Sequence, residues 1–327
     1  MMARHSRIIG LGAYRPRRSV GNAEIASRLG LSEDWIVKRS GIRHRGYAGP
    51  DEPLSMMARE AAAKALADAG LDPARIGAVV VATVTHLSQM PSLASQVAHE
   101  LGAVNAAAFD MLAACAGFPY ALAVASDLVK AGTADHALII GAERMTDIVD
   151  PDDAATAFLF ADGAGAVVVG PSERPGIGPV AWGCDGSRAD AVGMTGHWRP
   201  ELHGDPSVPW PRLGMIGWRV YRWARDDLAT AARRAIEAAG LAPGDLDALI
   251  PHQANLLIID ELARQLGLRD GAVVARDIAE SGNTSAASIP MAMERLLAAG
   301  EVTSGMTALT IGFGSGLAYA GQVIEIP

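Results

Sequence analysis

Apolar runs of β-type residues alternate with alanine-rich stretches of helical character along the whole chain. That alternation predicts α/β layering. Residues 76–83 (Ile-Gly-Ala-Val-Val-Val-Ala-Thr) read as a buried strand after a helix over 58–69, with Gly70 as the helix stop and Pro73 beyond it. The same order returns later, where an alanine-rich helix over 231–239 and Gly240-Leu-Ala-Pro243 lead into a strand over 246–250. A second pair follows. Cys115-Ala-Gly-Phe118 runs into a helix ending at Lys130-Ala-Gly132, then a strand over 137–141. Asn283-Thr-Ser-Ala286 runs into a helix ending at Ala298-Ala-Gly300, then a strand over 307–312. Two matched units in matched order predict a duplicated fold with a boundary near 170–176, giving halves 1–172 and 173–327.

The duplication carries a chemical expectation. Aligned on their terminal Ala-Gly, the two later helices place Cys115 and Asn283 at equivalent starts. Packing about a pseudo-twofold axis would bring both starts to the centre. His252, just after the strand at 246–250, would face the same region. A lone cysteine with a histidine and an asparagine elsewhere in the chain is a candidate nucleophile with its helpers. A helix N-terminus stabilises negative charge, so it is expected to lower the Cys115 pKa. Pro119 is tolerated in the first turn, where its missing N–H would have no helical partner.

Composition narrows the class. At 327 residues the chain suggests about two domains of about 150 residues each. Half the residues are hydrophobic and a fifth are charged, as expected of a globular protein with a large core of small residues. Two cysteines in this length make no disulfide framework, which points to a reducing cytoplasm. The apolar run Ile8–Ala13 is too short for a signal peptide, and the uncharged stretch Met111–Ser126 is too short to cross a bilayer. A net charge of −8 argues against nucleic acid as the main partner. Local basic clusters (Lys38-Arg39, Arg43-His44-Arg45, and Arg219, Arg222 and Arg225) read either as solvated faces or as a dock for an acidic partner. His86, His197 and His203 lack metal-ligand spacing, so no metal site is expected. Gly312-X-Gly-X-Gly316 lacks the spacing and following helix of a dinucleotide loop, and Gly10-Leu-Gly12 reads as turn geometry.

With these motifs in view, the chain resembles the β-ketoacyl-acyl carrier protein synthase III family of the thiolase superfamily over essentially its whole length. The resemblance is carried by Asp34-Trp-Ile-Val-Lys-Arg-Ser-Gly-Ile-Arg43, Ala114-Cys-Ala-Gly-Phe118, Phe160-Ala-Asp-Gly-Ala-Gly165, His252-Gln-Ala-Asn255, Gly282-Asn-Thr-Ser285 and Gly312-Phe-Gly-Ser-Gly316. Within the family it is most similar to the priming synthases of actinomycete aromatic polyketide pathways. The resemblance implies a thiolase fold, with duplicated α/β halves forming a five-layered αβαβα sandwich. It also implies a chain-initiating, decarboxylating Claisen condensation of a short acyl-CoA with malonyl-acyl carrier protein, with no cofactor.

Cys115 would be acylated, and His252 and Asn283 would donate hydrogen bonds to the malonyl thioester oxygen as the enolate forms. The backbone amides of Cys115 and Ser315 would hold the oxyanion. Trp35 and Arg39 match positions that contact the CoA nucleotide; Trp35 also reads as a buried helix anchor. Asn255 would touch the pantetheine arm, and Phe160 would shape the acyl pocket. Trp218 stands near the pantetheine tunnel, where relatives often hold a smaller polar residue. Arg222 and the Gln253, Ala254, Leu256 and Leu257 segment match positions that meet the carrier protein. Met90 matches a residue that reaches across a homodimer into the partner's pocket. Two departures bear on these contacts: Ala154 and Leu257 stand where relatives carry arginines. Cys184 matches no functional position and reads as a buried or incidental thiol.

Two other functions stay open on the residues alone. One is a cysteine-dependent acyltransferase to an alcohol, amine or carrier thiol without decarboxylation. Asn283 speaks against it, because relatives with that activity carry an acid there. The other is a non-catalytic partner subunit, which would usually lack the nucleophile.

Overall fold

The computed structural model describes residues 5–197 and 207–327. Its first sheet is built from β1 (His5–Tyr14), β2 (Ala78–Ala82), β3 (Ala107–Met111), β4 (Ala137–Arg144) and β5 (Asp162–Ser172), in the order β1-β5-β4-β2-β3. The second holds β6 (Ala181–Cys184), β7 (Ala248–Pro251), β8 (Val273–Val274), β9 (Thr307–Gly314) and β10 (Ala318–Glu325), in the order β6-β10-β9-β7-β8. The two orders correspond strand for strand. In each sheet the first and last strands pair antiparallel, and the other neighbours match in direction as well.

Side-chain alternation explains the layers. Val80 and Ile139 turn inward to a core shared with Ile250 and Ile324 of the second sheet. Filling that core are α3 (Gly117–Ala131) and α6 (Ser288–Ala298), through Phe118, Leu122, Ile289 and Met293. Val79, Val81 and Leu138 point the other way, under α1 (Leu54–Asp68) and α2 (Leu93–Leu101). Leu249, Leu309 and Phe313 likewise pack beneath α4 (Gly217–Ala238) and α5 (Leu256–Leu266). A two-residue period with both faces buried requires strands such as Ala-Val-Val-Val-Ala, which are apolar throughout. The result is the expected five-layered αβαβα sandwich. Among the described residues no helix is long and apolar enough to cross a membrane.

Three details differ from the sequence expectation. Gly10 and Gly12 lie inside β1 rather than in a turn; a Cβ on either would stand 2.3 Å from the carbonyl oxygen of Ala65 or Ala61. They let the strand backbone touch α1. The helix expected over 231–239 is only the end of α4, which has 22 residues and whose earlier turns carry arginine and tryptophan instead of alanine.

The third concerns register. Both central helices follow a short 3-10 turn, Ala114–Ala116 before α3 and Ser285–Ala287 before α6. Each turn opens on a residue with positive φ (Ala114 at 46° and Ser285 at 48°), and each helix has a proline at its third position, Pro119 and Pro290. The structural equivalent of Cys115 is therefore Ala286. Asn283 lies upstream of that turn. Because α3 has 15 residues and α6 only 11, aligning their C-terminal ends shifts their beginnings.

Candidate active site

Cys115 sits in the turn between β3 and α3, and its thiol donates to the Ser285 hydroxyl at 3.5 Å. On its other side runs β9. A Cβ on Gly314 would lie 2.9 Å from the Cys115 Cβ and 3.2 Å from its sulfur; one on Gly312 would lie 2.8 Å from the Cys115 carbonyl oxygen. Only glycine at these positions leaves the nucleophile its space.

Asn283 is fixed by its backbone: its N–H donates to Leu159 at 2.9 Å, and its carbonyl accepts from Ala161 at 2.9 Å. Its side-chain Oδ1 accepts the Ser285 N–H at 2.9 Å. The carbonyl end of the amide is thus occupied, and the NH2 end is the one left to donate. His252 follows β7, and its backbone N–H donates to Ile311 at 2.8 Å. Its Nδ1 lies 2.7 Å from the Ser288 hydroxyl, and its ring stands edge-on to Phe313 at 5.4 Å. All three predicted residues converge on one short segment, Ser285 to Ser288, at the head of α6.

Burial sets the electrostatics. It pushes the Cys115 thiol up to about 12, although the residue as a whole is only half-buried. Desolvation of the thiolate is the largest cause, and it acts against the lowering expected from the helix N-terminus. Burial also takes His252 down to about 3, so its imidazole is neutral across the whole working range. Behind Ser285 lies a group that the motifs did not single out. Glu143, fully buried at the end of β4, is pushed up to about 7 by burial, against the hydrogen bonds it accepts. The sequence signal for it was a carboxylate ending an otherwise apolar strand. Ser285 and Ser288 lie in or beside a quoted motif, but only packing shows what they touch.

The outlying residues divide. Trp35 is 40% exposed, with its ring edge-on to Phe158 at 5.2 Å, so it is not a buried anchor. Arg39 and Ala154 are exposed. Gln253 is buried, and its side chain binds the carbonyls of Pro251 and Ala275 and the N–H of Ile278. It braces the loop after His252 and has no surface to offer a carrier protein. Asn255 caps α5, accepting from Leu257 and donating to the Arg39 carbonyl, which uses both ends of its amide inside the chain. Leu256 packs toward Gly41 and Ala254 against the α4–α5 core, leaving Leu257 exposed. Trp218 is exposed under the Arg222 guanidinium, 4.8 Å from its ring centre. Phe160 is buried and bridges Asn283 through the backbone. Met90 is 80% exposed. The Ser315 hydroxyl is tied to the Val192 carbonyl at 2.8 Å, which fixes the loop that carries its amide. Cys184 is exposed, not buried. His203 lies outside the described residues.

A duplicated five-layered sandwich with a cysteine at the head of one central helix defines a thiolase-type protein. Residues 109–186 match the 3-oxoacyl-[acyl-carrier-protein] synthase III family, and residues 236–326 match that family's C-terminal region. A β-ketoacyl-[acyl-carrier-protein] synthase III of Streptomyces coelicolor is 51% identical, with 99% of this chain and 97% of the relative covered. A mycobacterial synthase III from Mycobacterium avium is 46% identical, over 98% of this chain and 95% of the relative. The crystal structure of a priming β-ketosynthase from a polyketide biosynthetic pathway superposes with a TM-score of 0.97 at 50% identity, covering 99% of this chain and 97% of the other. The synthase III of Pseudomonas aeruginosa superposes at 0.91 with 38% identity, each chain covered to 99%. The chain belongs to the β-ketoacyl-[acyl-carrier-protein] synthase III family.

Proposed function

We propose that Cys115 takes a short acyl group from acyl-CoA and condenses it with malonyl-acyl carrier protein, releasing CO2 and giving 3-oxoacyl-acyl carrier protein. The halves 1–172 and 173–327 supply the nucleophile and the two donors respectively. The observation that carries the assignment is the gathering of Cys115, His252 and Asn283 on Ser285–Ser288.

The side chains are suited to the decarboxylation step. Ser288 accepts the Gln253 N–H at 3.3 Å, and with its hydroxyl donating a hydrogen bond to His252 Nδ1 the imidazole carries its hydrogen on Nε2. Nε2–H and the Asn283 NH2 then both donate to the malonyl thioester oxygen. As CO2 departs, negative charge develops on that oxygen, and fixed donors in a dry site stabilise it. A neutral histidine can do this without giving up its proton. The carbanion then attacks the acyl carbon on Cys115, with the Cys115 and Ser315 amides as the oxyanion donors.

The decisive test is intact-protein mass after exposure to a panel of acyl-CoAs. One acyl group is expected on the native chain and none on Cys115→Ala, and the extent of labelling ranks the starters. An acyl group retained by Cys115→Ala would move the nucleophile elsewhere.

Access for both substrates follows from the exposed residues. Trp35 and Arg39, both exposed, would contact the CoA nucleotide, and Arg222 over Trp218, together with the exposed Leu257, would meet an acidic carrier protein. Reversing charge there, with Arg222→Glu, is expected to raise KM for the carrier protein about tenfold at low salt with kcat little changed. Steady-state kinetics with varied carrier protein checks this; an unchanged KM would place docking elsewhere. We further propose a homodimer. Leu87, Met90, Val104, Phe109 and Leu112 are exposed apolar residues on and beside β3, an edge strand, and a second copy would cover them. The reducing cytoplasm is the proposed compartment, supported by two free cysteines.

A further inference from the structure

Glu143 has no evident reason to be buried. Its Oε2 accepts from the Thr85 hydroxyl at 2.8 Å, the Val84 N–H at 3.1 Å and the Thr83 hydroxyl at 3.2 Å, all of them neutral groups. Its Oε1 is equally buried and has no hydrogen-bond partner. An orphaned carboxylate oxygen is costly inside a protein and is kept where it serves a purpose. The Ser285 hydroxyl, which holds the Cys115 thiol, belongs to a turn packed against β4, and its hydrogen bonding helps lower the Glu143 pKa. A thiol, a hydroxyl and an unsatisfied carboxylate therefore stand in sequence.

We propose that Ser285 and Glu143 form a proton relay that takes the Cys115 proton during acylation and returns it after condensation. The inference rests on the assignment of Cys115 as nucleophile. In acylation the Cys115 S–H bond breaks, its proton passes to Ser285 Oγ, and the Ser285 hydroxyl proton passes to Glu143. The sulfur forms a bond to the acyl carbon, and the bond from that carbon to the CoA sulfur breaks. CoA leaves as a thiolate and takes a proton from water. In condensation the malonyl carboxylate departs as CO2, the carbanion bonds to the acyl carbon, and the acyl–Cys115 bond breaks. The freed thiolate recovers its proton from Glu143 through Ser285. The one proton drawn from water is the one the overall reaction consumes. Because the thiol holds its proton more tightly than Glu143 does, transfer accompanies attack instead of preceding it.

Few other charges bear on the relay. Cys115 is the titratable group coupled to Glu143 from the turn ahead of α3. His252, beyond α6, is neutral. Arg144, next along β4, turns to Asp147, and Asp162 on β5 is held by Thr146 and Ala48.

The sign of one substitution separates a relay from a passive buried charge. The negative charge of Glu143 raises the Cys115 pKa. If that were its whole effect, Glu143→Gln would make the thiol more acidic and more reactive. A relay predicts the reverse. The experiment follows alkylation of Cys115 by iodoacetamide from about pH 6 to pH 9, in a Cys184→Ser background because Cys184 is exposed.

The native rate is expected to rise through a midpoint near 7, where Glu143 ionises. In Glu143→Gln the midpoint should vanish and the rate at pH 8 should fall at least about tenfold. Ser285→Ala should behave alike. Its backbone suits alanine, since Ala114 holds the same positive φ in the matching turn, so this variant decides the matter if Glu143→Gln does not fold. Alkylation of Glu143→Gln as fast as native or faster, or a midpoint unmoved in Ser285→Ala, overturns the relay. Either result would leave acylation of the native chain and its loss in Cys115→Ala intact, whereas failure of the nucleophile assignment would leave the acyl group on Cys115→Ala.

Discussion

His252→Ala is expected to slow CO2 release from malonyl-acyl carrier protein by about 10²- to 10³-fold, the range for losing one donor to a developing oxyanion. Acylation of Cys115 by acyl-CoA should stay within a few-fold of native. The split follows from where the imidazole is anchored. Its contacts are Ser288, Ile311 and Phe313, whereas the thiol donates to Ser285. A histidine held down to about 3 by burial is also a poor acceptor for a cysteine proton. The sign of the pH effect follows. Its charged form appears only as pH falls toward 3, so decarboxylation should show no acid limb near the usual histidine pKa. Measuring labelled CO2 release and the acyl-enzyme mass on the same preparation checks both halves. An equal loss in both steps would mean that His252 serves the sulfur as well.

The parts of this molecule that could be read from its residues are those with period and punctuation. Uninterrupted β-branched runs such as Val79–Val81, helix stops at Gly70, Gly132 and Gly300, and the repeated order of elements define the duplicated layers. The same duplication brings Cys115, His252 and Asn283 to the centre. What stayed hidden depends on contacts between residues remote in sequence. Unequal lengths of α3 and α6 concealed the true equivalence of Cys115 with Ala286. Gln253 sits in a motif with His252, yet it turns inward to brace Pro251 and Ile278. The depth of Cys115, whose burial raises its pKa, is set by three separate segments: β9, the turn ahead of α6 and the end of β4. Glu143 carries no motif at all; only its packing against Thr83 and Thr85 shows that a carboxylate is enclosed there.

Gly314→Ala should slow acylation of Cys115 by about 10²-fold, although the glycine contributes no chemistry. The added methyl would fall 2.9 Å from the Cys115 Cβ, 3.2 Å from the sulfur and 3.3 Å from the Cys115 nitrogen. Something must then move. β9 cannot retreat easily, because it is hydrogen-bonded to β7 on one side and to β10 on the other. The cysteine turn is the partner that can move, since it opens on the positive φ of Ala114 and, among the described residues, its one side-chain hydrogen bond across the site is the thiol–hydroxyl contact to Ser285. The turn therefore shifts, and the sulfur leaves its line to Ser285. Misplacement by about an ångström costs on the order of 10²-fold in rate, with about 1–3 kcal/mol of stability lost to overpacking. Gly244→Ala is the matched control, because its Cβ would meet nothing within 4 Å. Acyl-enzyme formation and thermal melting of both variants check the prediction. A Gly314→Ala enzyme that acylates at the native rate would show that β9, not the nucleophile, gives way.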